Sequence, residues 1–86
     1  MLIGRVVGSV WATKKHEPLS GKKLMVIRTK GQTIVATDSI GAGNGDLVLI
    51  CTGSTARIVS NSTSDAAIVG IVDSLETNNF NEDELI

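Results

Sequence analysis

Cysteine occurs once in this 86-residue sequence, at Cys51, and histidine once, at His16. A lone cysteine excludes a disulfide within one chain. One histidine, with no second soft ligand near Cys51, gives no metal-ligand spacing. Tyrosine is absent and only Trp11 and Phe80 are aromatic, so the chain lacks the stacked aromatics that single-stranded nucleic-acid binders use. Charge of one sign is also lacking. Eight Lys and Arg against nine Asp and Glu leave a formal net charge of -1, which draws in no polyanion. No apolar stretch approaches the roughly 20 residues that span a bilayer. Met1-Leu2-Ile3-Gly4-Arg5 is not a basic segment followed by an apolar run. With the lone thiol, this makes the cytoplasm the expected compartment. The chain is therefore expected to have no cofactor, no metal, no nucleic-acid partner and no membrane partner.

What is present is a series of short apolar runs broken by Gly, Asn, Ser and Pro, which reads as one all-β domain. Strands are expected over residues 2–12, 23–29, 33–38, 46–51 and 67–75. Lys30-Gly31-Gln32 forms a tight hairpin turn. Gly53 to Ile58 reads as a short helix with Ser54 as its N-cap. Five strands with one short helix between the fourth and fifth predict a small OB-like β-barrel over residues 1–75. Residues 76–86 read as an acidic tail, either disordered or docked on a neighbour.

A chain of 9.0 kDa buries only about 60–65% of its unfolded surface, a marginal core that is often helped by oligomerisation. The strands point the same way. Leu24-Met25-Val26-Ile27, Leu47-Val48-Leu49-Ile50 and Ile68-Val69-Gly70-Ile71-Val72 are apolar on both faces. An isolated antiparallel barrel alternates apolar-in and polar-out. The second apolar face therefore needs a cover, and another copy of the chain is the simplest one.

Residues with chemical potential have plainer readings. Gly41-Ala42-Gly43-Asn44-Gly45 begins like a dinucleotide-binding fingerprint, but its third glycine comes one residue early and a strand follows where a helix is needed. It reads instead as a strand-to-strand loop with positive φ angles, in which Gly43→Val should be poorly tolerated. His16 beside Glu17 has no nucleophile next to it. Cys51 ends an apolar strand and reads as a small buried hydrophobe. Asp38 and Asp46 flank the glycine loop, where carboxylates cap turns. Lys14, Lys15, Lys22 and Lys23 read as solvated loop charges. Arg57 fits a salt bridge or a carbonyl contact at a subunit boundary better than an anion site. No enzymatic activity is expected.

Four blocks together resemble the EutN/CcmL family of pentameric microcompartment vertex proteins. The first runs from Gly8-Ser9-Val10-Trp11-Ala12-Thr13-Lys14-Lys15 to Leu19-Ser20-Gly21-Lys22-Lys23-Leu24-Met25-Val26. The others are Ala36-Thr37-Asp38-Ser39-Ile40-Gly41-Ala42-Gly43-Asn44-Gly45-Asp46, Gly53-Ser54-Thr55-Ala56-Arg57 and Val69-Gly70-Ile71-Val72-Asp73. The chain departs from the family pattern in a short hairpin at Lys30, in Asp46 where Glu is usual, and in Trp11 where a small or β-branched residue is usual. The resemblance implies a structural protein that forms a homopentamer at the vertices of a bacterial microcompartment shell, with hexameric shell proteins as partners. The loop Gly41, Ala42, Gly43, Asn44, Gly45 then becomes a candidate for the fivefold axis, and Arg57, Ser54 and Asp38 candidates for the subunit interface. An OB-like module binding nucleic acid or a small ligand is the alternative.

Overall fold

A computed structural model describes residues 1–11, 23–60, 65–74 and 86. The elements are β1 (Leu2–Val10), β2 (Lys23–Thr29), β3 (Gln32–Asp38), β4 (Leu47–Thr52), α1 (Ser54–Ser60) and β5 (Ala66–Ile71). They form a closed barrel in the order β1-β2-β3-β5-β4, so the expected five-stranded barrel with one short helix is the fold. The edges differ by a residue or two. β3 begins at Gln32, β4 starts after Asp46, and β5 ends at Ile71. The expected end of the first strand at Ala12, the lysines at 14, 15 and 22, His16, Leu75 and tail residues 76–85 lie outside the described residues.

Pairing is antiparallel except between β3 and β5, which run parallel and meet only at Thr37↔Ala67 and Asp38↔Ile68. Side chains alternate across each strand. Val6, Met25, Ile27, Ala36, Val48, Ile50 and Ile68 point inward as one buried core. Thr29, also fully buried, donates from Oγ1 to the Ile3 carbonyl at 2.7 Å. Inside the wall, Gly4 is a required small residue. A Cβ there would overlap the Ile27 side chain and lie 3.0 Å from the Arg28 carbonyl oxygen and 3.2 Å from Ile50 Cδ1. Both isoleucines are fully buried and have nowhere to go.

The β2–β3 hairpin turns on two residues, Lys30 (φ 50°) and Gly31 (φ 73°), both left-handed. Two positive φ values match the right-handed twist of the flanking strands. Gly31 does this without strain and Lys30 does not. The helix start corrects the N-cap assignment. The Gly53 carbonyl accepts the first helical bond from Arg57 N–H at 3.3 Å, so Gly53, with φ 72°, stands in the cap position and Ser54 is the first helical residue.

Candidate functional site

Two features remain after the core is filled: the loop from Asp38 to Asp46 and the outer surface of the barrel. Asp38 builds the loop. Its Oδ1 accepts from the N–H groups of Ile40 (3.0 Å) and Gly41 (3.1 Å), and its Oδ2 from that of Ala42 (2.8 Å). Lys23 on the neighbouring strand completes the cluster. Its Nζ lies 3.7 Å from Asp38 Oδ2 and donates to the Ala42 carbonyl at 3.1 Å. With both backbone groups of Ala42 satisfied, its methyl enters the core, fully buried. Asp46 closes the other end. Its Oδ2 accepts from Gly43 N–H at 2.8 Å, and its own N–H donates to the Gly43 carbonyl at 3.0 Å. Both aspartates are the turn caps that the sequence suggests.

The loop is also stitched to β1. Val7 is the extra residue of a bulge between the Val6↔Ile27 and Gly8↔Val26 pairs, and a bulge leaves backbone groups unpaired. Gly45 N–H donates to the Val6 carbonyl at 2.8 Å. The Asn44 amide nitrogen, turned toward β1, donates to the carbonyls of Val6 (3.1 Å) and Val7 (3.2 Å). Arg5 Nη1 donates to the Gly45 carbonyl at 2.9 Å. The positive φ angles fall at Gly41 and Gly45, both 90°. Gly43 is not among them, and a Cβ there would meet only Asp46 Oδ2 at 3.7 Å. The positive φ expected at Gly43 is therefore corrected, and with it the conformational reason for excluding a side chain there. The positions where a side chain would be strained are Gly41 and Gly45.

This loop offers no reactive centre. Its carboxylates are occupied by backbone donors and it opens on no helix N-terminus. Among the described residues, no group of three or more His, Cys, Asp or Glu could hold a metal ion. Nor, among the described residues, is any helix long and apolar enough to cross a membrane. Lys23 is tied to Asp38 and Ala42, and Trp11 stands 93% exposed at the end of β1.

The outer surface is uneven. Where β4 meets β5, α1 lies across it. Cys51, Ala67 and Ala56 are buried together there, with Val69 packed against them. Cys51 is thus the small buried hydrophobe expected of it. Elsewhere the outward apolar side chains have no such cover among the described residues. Leu24, Val26, Leu47 and Leu49 are half-buried and Val35 is 47% exposed. Of the candidate interface residues, Ser54 and Arg57 are exposed on α1, whereas the Asp38 side chain is fully enclosed. Sequence reasoning missed Gly4, Ala42 as a core residue, and the link from Asn44 to the β1 bulge. Only Ala42, the one apolar residue between Gly41 and Gly45, left a signal.

Residues 1–73 match the family described as ethanolamine utilisation protein EutN/carboxysome. The chain belongs to the EutN/CcmL family. It is 45% identical to the bacterial microcompartment shell vertex protein GrpN of Rhodospirillum rubrum, over 92% of this chain and 100% of that protein. It is 38% identical to the carboxysome shell vertex protein CcmL of Thermosynechococcus vestitus, over 93% of this chain and 91% of that one. The solved GrpN structure, a pentameric microcompartment shell protein, superposes with a TM-score of 0.82 at 48% identity, covering 91% of this chain and all of that one. These relatives are shell proteins rather than enzymes, and neither the nucleic-acid nor the small-ligand reading is favoured.

Proposed function

We propose that this chain is a structural protein that assembles into homopentamers and caps the vertices of a bacterial microcompartment shell. The observation that carries the reading is its likeness, over nearly the whole chain, to a pentameric shell protein at 48% identity and a TM-score of 0.82. The bare apolar outer faces support it, since a self-complementary ring covers them. A sheet of hexameric tiles cannot close into a polyhedron without fivefold points. Hexameric shell proteins are accordingly the expected partners, meeting the ring through weak edge contacts that gain strength by repetition. The site of action is the shell, inside the bacterial cytoplasm. In the ring, Gly41 to Gly45 line the fivefold opening and Ser54 and Arg57 contact the neighbouring subunit. Asp38 acts through the loop it shapes.

Native mass spectrometry at micromolar concentration is expected to show five protomers, and a persistent monomer overturns the ring. Co-expression with the matching hexameric shell proteins is expected to give closed polyhedral particles by electron microscopy. Omitting this chain should give open, elongated or leaky assemblies. Shells of unchanged shape and tightness, with this chain absent and no paralogue present, overturn the vertex role.

A further inference from the structure

A closed ring of identical chains cannot use one patch against itself. Each contact joins two different patches, one from each neighbour, so every protomer must carry both. Two outward rows of side chains meet that requirement. The first is Gly8–Val26–Val35 across β1, β2 and β3, fixed by the Gly8↔Val26 and Val26↔Val35 pairs. The second is Ile3–Leu49–Gly70 across β1, β4 and β5, fixed by the Ile3↔Leu49 and Leu49↔Gly70 pairs.

Both rows face outward, because the alternating partners on the same strands are core residues. Met25 and Ile27 flank Val26, and Val48 and Ile50 flank Leu49. Neither row contains a charge. Each pairs two branched apolar side chains with a glycine, so each carries a ridge beside a hollow. A Cβ at Gly8 would meet nothing within 4 Å, and one at Gly70 would meet only Leu49, at 3.7 and 3.9 Å. The rows are centred on β2 and β4, which are not neighbours in the barrel. β1 separates them on one side, and β3 with β5 on the other. They therefore look in different directions, as the two flanks of a ring protomer must. The third outer region is already closed by α1. Ile58, 80% exposed, and Val59, 47% exposed, project from that seven-residue helix as two adjacent side chains, with no third exposed large apolar residue on the helix to extend them into a row.

We infer that the Gly8–Val26–Val35 row of one subunit packs against the Ile3–Leu49–Gly70 row of the next, and that this contact closes the ring. The assignment rests on the ring reading above and names its two surfaces.

The test uses one charge in each row, at positions where the protomer has room. Val35→Asp alters a half-exposed side chain, and Gly70→Asp adds one where only ordinary contact awaits it. Each variant alone is expected to run as a folded monomer, by native mass spectrometry with far-UV circular dichroism as the fold check. Mixed in equal amounts, they are expected to form a one-to-one dimer and nothing larger. The intact first row of Gly70→Asp meets the intact second row of Val35→Asp, while the remaining contact sets aspartate against aspartate. Pentamers from either variant alone, or two folded variants that stay monomeric when mixed, overturn the assignment and leave the ring reading standing. A wild-type chain that is monomeric under the same conditions overturns both. If Gly70→Asp fails the fold check, Leu49→Ser replaces it with the same expected outcomes.

Discussion

The outer surface of this barrel is finished on one side and bare on the other. Over Cys51 and Ala67 the chain lays its own helix, and both are buried beneath it with Ala56. Over Val26 and Val35 it lays no described helix or strand, although those strands are as apolar. The strands alone do not separate the two sides, since both are apolar on two faces. The difference is which face the connection between β4 and β5 crosses. Stability of the single protomer and competence to assemble are thus written on different parts of one surface. Substitution beneath the helix should act on folding, and substitution on the bare side, or at the exposed Ser54 and Arg57 on the helix's outer face, on association.

The sharpest contrast comes from charging the finished side. Ala56 is fully buried against Cys51 and Ala67. Ala56→Asp places a carboxylate there with no partner, which is expected to cost about 3 kcal/mol or more. The readout is the urea midpoint of the protomer, or loss of soluble protein. Val35→Asp should leave the protomer folded. If the two variants lose the same amount of protomer stability, the division of labour is wrong.

A second prediction tests the joint between the sides, the loop that leads from β3 to β4. Asp38→Ala strands three backbone N–H groups and removes the ion-pair partner of Lys23. Water reaches some of these donors, so the expected loss is about 2–3 kcal/mol rather than the sum of three buried penalties. Asp38→Asn keeps one acceptor and should lose less. The ordering Asn above Ala in denaturant midpoint checks the role. Equal losses would mean that the loop holds its shape without the carboxylate.

The same loop shows how far the sequence was legible. The strands and their succession along the chain follow from apolar runs and turn residues that lie next to one another, so they could be read directly; the barrel order, which joins β1 to β4 and β3 to β5, could not. Asp38 and Asp46 as caps follow from local chemistry. Which glycine takes the left-handed conformation does not, because Gly41, Gly43 and Gly45 are alike until the carboxylates choose their donors. Gly4 is further out of reach. Its constraint comes from Ile27 and Ile50, far along the chain and brought together only by barrel closure. The helix start slipped by one residue for a related reason. Ser54 has the better capping side chain, but Gly53 has the φ of 72° that the turn out of β4 requires.

The third prediction follows from that reading. Gly41→Ala and Gly45→Ala, each at φ 90°, should lose about 1–2 kcal/mol. Gly43→Ala should change stability by less than about 0.5 kcal/mol. Thermal melts of the three proteins at one concentration are sufficient. A Gly43→Ala protein as unstable as the other two would mean that contacts across a subunit boundary, rather than φ, govern the loop. It would shift the loop's cost from folding to assembly.

The smallest effect belongs to the bare side and should be a gain. Lys30 holds φ 50° at the tip of the β2–β3 hairpin, followed by Gly31 at φ 73°. A two-residue turn with both angles positive favours Asn followed by Gly. Asparagine tolerates the left-handed region because its short polar side chain bonds locally, whereas lysine takes the full steric penalty of its Cβ. The Lys30 side chain is exposed and no ion pair is seen for it among the described residues, so little is lost with it. Lys30→Asn should therefore raise protomer stability by about 0.5–1 kcal/mol. The hairpin tip lies beyond the row that ends at Val35, so the subunit contact should be untouched. Measured in the Val35→Asp background, where no ring forms, the gain should appear in full as a higher denaturant midpoint. In the wild-type background the same substitution should leave the pentamer's dissociation concentration unchanged. A gain that appears only in the ring would place Lys30 at a subunit boundary and extend the bare face to the hairpin tip.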